Sequence, residues 1–208
     1  MSNDYDFWMV VLTALSVVGM FVIAIIAIWQ DRLRPRPKLS LKLKSKSGVV
    51  VRVSQGDTQR YFHLLVENTR RWSTAKSVRV VLRRVFTQDA GGRYYERSRH
   101  NFQLTWSPAY AHDVTPNITN VDDLDIGFVS KKTNKFQVLL YGVGTIPEAT
   151  LASGESMVIA LDIVADNYFS DKLRFFKIDW NGQWEDDDVK IERCLVIQEV
   201  GDRFLDQS

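Results

Sequence analysis

From Phe7 to Trp29 the chain runs for 23 residues without a charged side chain, and only Thr13 and Ser16 are clearly polar. At ~1.5 Å per residue an α-helix of that length measures roughly 34 Å, enough to cross a ~30 Å hydrocarbon core with some tilt. A soluble core helix seldom keeps every face apolar over such a distance. Trp8 and Trp29 bracket the run where amphipathic rings favour the two interfaces. A cleaved signal peptide is the competing reading. Against it stand an acidic N-terminal flank, an apolar run longer than the usual ~7–15 residues, and the bulky Trp29-Gln30-Asp31 that follows. The expectation is an uncleaved, single-pass transmembrane helix over residues 7–29.

Basic residues beside such a helix resist translocation and bind anionic lipid. The N-terminal flank has none, whereas residues 31–46 carry Arg32, Arg34, Arg36, Lys38, Lys42, Lys44 and Lys46 against Asp31. This asymmetry predicts the N-terminus outside and residues 31–208 on the cytoplasmic side. Residues 30–37 form a basic, proline-containing juxtamembrane spacer, and eight extended residues from Asp31 to Lys38 at ~3.1 Å each reach only about 25 Å. Residues 38–208 then form one domain held close to the membrane. Ser16, Gly19 and Ala27 lie near one helical face and would permit close packing in a homo-oligomer; a lipid-facing helix with incidental small residues is the equal alternative.

The formal charge of +2 is unevenly spread. Residues 1–6 contribute −2 and residues 31–46 contribute +6, so residues 47–208 hold −2. A domain with that balance is not expected to bind nucleic acid. Cys194 is the one cysteine, which excludes an intramolecular disulfide framework and fits a reducing compartment.

Past residue 38 the apolar pattern has period two. Leu39, Leu41 and Leu43 alternate with polar residues, as do Val49, Val51 and Val53, and further strands are expected at 60–67, 76–87, 93–98, 102–106, 135–141, 156–165, 173–180 and 189–199. Turn residues separate them: Gln55-Gly56-Asp57, Asp89-Ala90-Gly91-Gly92, Ala152-Ser153-Gly154 and Asn181-Gly182. The last suits a type I′ hairpin pairing Ile178 and Trp180 with Trp184 and the residues after it. Residues 107–134, with the acidic Val121-Asp122-Asp123-Leu124-Asp125, read as irregular with an edge strand near 126–129. No convincing helical periodicity and no strand–helix alternation occur here, so the fold class is all-β: an antiparallel sandwich, with a small β-barrel as the alternative.

Leu64-Leu65-Val66-Glu67-Asn68 followed by Thr74-Ala75-Lys76-Ser77-Val78-Arg79-Val80-Val81-Leu82 resembles a motif of immunoglobulin-like bacterial modules. Leu104-Thr105-Trp106-Ser107, Ala165-Asp166-Asn167 and Ile178-Asp179-Trp180-Asn181-Gly182-Gln183-Trp184 extend the likeness over roughly residues 60–200. Together they resemble an uncharacterised bacterial family of membrane-linked immunoglobulin-like β-sandwich domains. Arg71-Trp72 departs from the small turn residue of the wider class. The resemblance implies the fold and a bacterial inner (plasma) membrane location, and it brings no catalytic residues.

The chemistry-bearing residues are sparse. His63, His100 and His112 lack the short-range pairing of a zinc site, so no metal and no cofactor are expected. Cys194 reads as a buried inert thiol. Gly142-Val143-Gly144-Thr145-Ile146-Pro147 begins like a dinucleotide fingerprint, but Pro147 replaces its third glycine and no helix follows. Glu185-Asp186-Asp187-Asp188 reads as a solvated hairpin end more readily than as a calcium ligand set. Residues 70–99 hold nine Arg or Lys against Asp89 and Glu96. Arg70, Arg71, Trp72, Arg79 and Arg83 are the candidate contacts for an anion or partner, since guanidinium groups chelate phosphate and stack on aromatics. A solvated sheet face balanced by acids at 185–208 is the bland alternative, and strict alternation sends Arg84 to the face opposite Arg79 and Arg83.

The expected function is a noncatalytic interaction or sensor module at the cytoplasmic face of the membrane, not an enzyme. Its partners would be the anionic inner leaflet and a protein or small anionic ligand. Two alternatives stand beside it: a membrane-perturbing effector in bacterial defence activated by ligand-driven oligomerisation, and an enzyme on lipid or envelope substrates.

Overall fold

The computed structural model describes residues 2–33, 36–53, 56–108, 114–170 and 172–204. The chain divides into two compact units, Met1–Arg36 and Pro37–Ser208. His112, Gln55, the spacer residues Arg34 and Pro35, and the last four residues lie outside the described set.

The first unit is one helix, α1 (Ser2–Leu33). Its apolar segment Phe7–Ile28 has 22 residues, none of them buried, and is long and apolar enough to cross a membrane. Membrane anchors share that length and composition with signal sequences. The segment's two polar side chains are satisfied within the helix: Thr13 Oγ1 donates to Met9 O at 2.7 Å and Ser16 Oγ to Thr13 O at 2.9 Å. Such self-contained hydrogen bonding is what hydrocarbon demands of a spanning segment.

The second unit is a sandwich of two antiparallel sheets. One holds β1 (Leu39–Leu43), β3 (Thr58–Asn68), β7 (Val121–Ser130), β8 (Lys135–Val138) and β9 (Thr150–Leu151) in the order β1-β3-β7-β8-β9, with β2 (Val49–Arg52) on β3 and β6 (Thr105–Trp106) on β7. The other has the order β12-β11-β10-β4-β5, from β4 (Arg79–Gln88), β5 (Tyr94–Gln103), β10 (Glu155–Val164), β11 (Arg174–Trp180) and β12 (Leu195–Val200). A short helix, α2 (Asp188–Cys194), precedes β12.

Period-two alternation explains most of the core. On β3, Arg60, Phe62, Leu64, Val66 and Asn68 turn inward while Tyr61, His63, Leu65 and Glu67 stay half-buried on the outer face. Leu39 and Leu41 of β1 join them, and Val80, Leu82, Ile159, Leu161, Phe176, Ile178 and Trp180 meet them from the opposite sheet in one continuous cluster. Burying this apolar area from both sheets is the main force holding the sandwich closed. A smaller cluster of Phe86, Val158 and Ala160 lies apart, packed by Tyr94, Phe175 and Phe204.

Five expectations from the sequence are corrected. Residues 121–130 are no irregular loop with an edge strand at 126–129; they form β7, an interior strand paired with both β3 and β8. Two of its acids meet basic side chains across the sheet, with Asp123 Oδ2 2.5 Å from Lys44 Nζ and Asp125 Oδ1 2.6 Å from His63 Nδ1. The segment 189–199 is α2 followed by β12, because Asp187 caps the helix by accepting hydrogen bonds from the amides of Val189 and Lys190.

Asn181-Gly182 does not close a two-residue hairpin. Trp180 pairs instead with Leu195, after the intervening loop and α2. Asn181 Oδ1 takes the Gln183 amide at 2.8 Å, and Arg60, fully buried, donates to Ser47 O, Glu185 O, Asp186 O and Asp188 Oδ1. The backbone of the acidic run 185–188 is thus pinned to β3 and leads into α2; it ends no hairpin, while the side chains of Asp186, Asp187 and Asp188 stay exposed to solvent. Finally, β4 bulges at Arg83: Leu82 pairs with Leu161 and Arg84 with Ala160, so one residue is unmatched. The bulge places Arg83 and Arg84 on the same outer face, where Arg83 meets Asp162 and Arg84 meets Glu96.

Candidate functional site

Two regions of the domain carry exposed chemistry. One is the proximal end, where the chain enters the domain at Lys38. There Thr69 donates from both its amide and its hydroxyl to Lys38 O, at 2.9 and 3.2 Å. The next residues, Arg70, Arg71 and Trp72, sit on an exposed turn. Asn68, 1% exposed, shapes that turn: its Nδ2 donates to Ser73 O and Ile118 O, and its Oδ1 accepts from the Arg70 amide.

The sequence candidates are therefore only partly brought together. Arg70, Arg71 and Trp72 share one turn, and Arg79 stands exposed at the start of β4 just after it. Arg83 is committed elsewhere. Its Nε and Nη2 lie 3.0 and 2.7 Å from Asp162 Oδ2, and its Nη1 donates to Asn101 Oδ1.

The second region is a cleft of about 430 Å³ on the open side of the sandwich, between β5 of one sheet and β8–β9 of the other. A bulge builds it. Val85 pairs with Ser98 and Phe86 with Glu96, leaving Arg97 unmatched on β5 and turned into the cleft. Lys135 faces the same opening, and neither cation has an ion-pair partner among the described residues. Gln137 Nε2 donates to Thr145 Oγ1 at 3.4 Å, which leaves the Thr145 proton free to donate outward. Glu155 supplies one carboxylate, already engaged by the Ala152 amide at 2.7 Å. Ile146 and Pro147 give the cleft an apolar wall.

The glycine segment beginning at Gly142 leads directly into this wall. Gly142 and Gly144 take φ of 72° and 82°, and Leu140 and Gly144 exchange backbone hydrogen bonds across the turn. Those glycines serve a tight turn, and the residues after them line the cleft. Sequence reasoning named this segment for its glycines and counted Arg97 in the basic stretch 70–99, but did not bring Arg97 and Lys135 to it, because the cleft joins strands far apart in sequence.

The remaining titratable groups form separate small sets. His63 and Asp125 pair on the outer face beside Tyr61, whose hydroxyl is pushed up by burial and then by the charges of Asp125 and Asp57. Their 2.6 Å contact lacks the angle of a straight hydrogen bond, and no hydroxyl or thiol is bonded to this imidazole among the described residues. Ser98 Oγ lies 2.7 Å from His100 Nε2, which stacks on Phe102, with no carboxylate bonded to the ring. Cys194 is buried. Among the described residues no three His, Cys, Asp or Glu side chains converge in a way that could hold a metal ion. Compared with protein families, curated proteins and solved structures, the chain gives no match.

Proposed function

We propose that the chain is a noncatalytic, membrane-tethered sensor module whose soluble domain binds a small anionic molecule in the cleft between β5 and β8–β9. One observation carries this reading: Arg97 and Lys135 face a single concave opening without ion-pair partners. Elsewhere the sandwich pairs many of its cations, as in Arg83 with Asp162, Arg99 with Glu96 and Lys131 with Asp186. Arg97 can grip a phosphate or carboxylate through two N–H donors, Lys135 adds a point charge, and Thr145 and Gln137 add neutral polar contacts. The apolar wall at Ile146 and Pro147 suits the uncharged part of such a ligand, and the volume falls within the range of small-molecule sites.

The tether rests on the apolar helix, long and apolar enough to cross a membrane, and its basic C-terminal flank supports a domain on the cytoplasmic side of a bacterial inner membrane. The resemblance to membrane-linked immunoglobulin-like domains supports the same architecture. Native mass spectrometry of the detergent-extracted full chain tests the reading. The expected result is a retained anionic small molecule that disappears in the double variant Arg97→Ala, Lys135→Ala. Wild-type protein without an adduct, or an adduct that survives both substitutions, refutes it.

A further inference from the structure

Among the described residues of the domain, the two most exposed large apolar side chains are Trp72, at 75%, and Phe169, at 80%. They lie far apart in sequence, yet their loops are bonded together. Asn167 Oδ1 accepts from the Lys76 amide at 2.9 Å, Asn167 Nδ2 donates to Thr74 O at 2.8 Å, and the Asp166 amide donates to Lys76 O at 3.0 Å. Thr69, next to the Arg70–Trp72 turn, is bonded to Lys38. Both aromatics therefore belong to the proximal end.

The same end concentrates positive charge. Lys38, Arg71, Lys76, Arg79 and Lys172 are exposed there with no side-chain ion-pair partner among the described residues. Among the described residues, Asp166 is the exposed acid interspersed with them. Exposed aromatics ringed by cations are poorly matched to water and well matched to a bilayer interface. There Trp and Phe bury their rings at headgroup depth while Lys and Arg meet lipid phosphates.

Chain length supplies the partner. From Leu33, where α1 ends, to Lys38 there are five Cα steps, which span no more than ~18 Å in any conformation. If α1 crosses a bilayer, the proximal end is the part of the domain the leash holds nearest to the bilayer surface.

We infer that the proximal end of the domain is a membrane-seating surface for the anionic leaflet, with Trp72 and Phe169 in the interface and Lys38, Arg71, Lys76, Arg79 and Lys172 over the headgroups. The inference rests on the membrane tether proposed above and is independent of the cleft. It makes α1 and the two loops a multi-point attachment that fixes the domain's tilt on the leaflet.

Spin labels in the full chain, reconstituted into bilayers containing phosphatidylglycerol, test it by depth. Labels are placed at Trp72→Cys and Phe169→Cys, with Val189→Cys, 67% exposed on α2, as the distal control and Ala14→Cys as the reporter of α1. All carry Cys194→Ala. The labels at 72 and 169 are expected to show the oxygen-to-nickel accessibility of headgroup depth, the label at 189 that of water, and the label at 14 that of hydrocarbon. Replacing Arg71, Lys76 and Lys172 by Gln should return positions 72 and 169 toward water. If position 14 reads hydrocarbon while 72 and 169 are as wet as 189, the seat is refuted and the tether stands. A wet position 14 overturns both. Headgroup depth that persists unchanged in the Gln variant overturns the role given to the cations.

Discussion

Arg60→Met tests how the acidic loop is held. The guanidinium is fully buried and donates to three backbone carbonyls, Ser47 O at 2.7 Å, Glu185 O at 3.3 Å and Asp186 O at 3.0 Å, besides Asp188 Oδ1 at 2.7 Å. The Asp188 side chain is 72% exposed, so losing its partner returns it to water at little cost. The carbonyls are the costly part. At roughly 1.5 kcal/mol for each hydrogen bond from a charged donor, three give about 4–5 kcal/mol. The unpaired Nε already penalises the native state and trims the loss to roughly 3–4 kcal/mol. Met keeps most of the apolar stem, so packing changes little. Asp188→Ala, by contrast, removes one exposed partner and should cost about 0–1 kcal/mol. Urea denaturation of residues 37–208, followed by tryptophan fluorescence and circular dichroism, measures both. Equal losses for the two variants would show that the ion pair, and not the capping of carbonyls, holds residues 185–188.

Further outcomes can be measured on the same protein. Trp180, 1% exposed with its Nε1 donating to Asn134 O, should lose about 3–5 kcal/mol of stability on Trp180→Ala, and a loss under about 1 kcal/mol would contradict its place in the core. Burial opposes ionisation of Asp57, but hydrogen bonds from Ser130, the Lys132 amide and Gln59 outweigh it and hold the carboxyl below the usual carboxylate range. Its stabilisation is therefore present above the unfolded-state pKa near ~3.9 and is lost as pH falls through the lower folded value. Asp57→Asn should flatten acid denaturation over that window, and an unchanged acid limb would refute the assignment. A cysteine at position 2 should react with an impermeant thiol reagent on intact cells, and one at Val189 only after permeabilisation; Cys194, 7% exposed, is too buried to report. Labelling at 189 on intact cells would reverse the topology.

Legibility followed the physics of each element. On β1, β3 and β11 one face is core and the other is not, so alternation marks them plainly, whereas β10 is buried on both faces over residues 156–161 and reads as a continuous apolar run. β7 was hidden because its outward positions carry Asp123 and Asp125, whose partners Lys44 and His63 come from 79 and 62 residues upstream. Nothing local announces such pairs. α2 has seven residues, too few for a helical period, and its one local sign is Asp187 as a cap. Strict alternation failed at the bulge of β4 at Arg83 and so misjudged the face of Arg84. Arg70, Arg71 and Trp72 were legible from charge and aromatic content. Phe169, beside Tyr168 in a loop, gained meaning only when Asn167 tied that loop to theirs.

Strand β10 runs the length of the domain from Glu155, which lines the cleft, to Val164, immediately before the loop that carries Phe169. Nine steps at ~3.3 Å make that strand about 30 Å long. With the proximal loops on the leaflet, β10 becomes a standoff: Arg97 lies level with Val158 and Ile159, five to six steps from Val164, which at ~3.3 Å each is about 18 Å, roughly two Debye lengths of ~8 Å from the lipid charge. A negatively charged ligand approaching that height meets nearly bulk cytosolic concentrations, little diluted by repulsion from the membrane. On the proposed seat, the domain would be bound to an anionic surface and still sample anions with little repulsion from it.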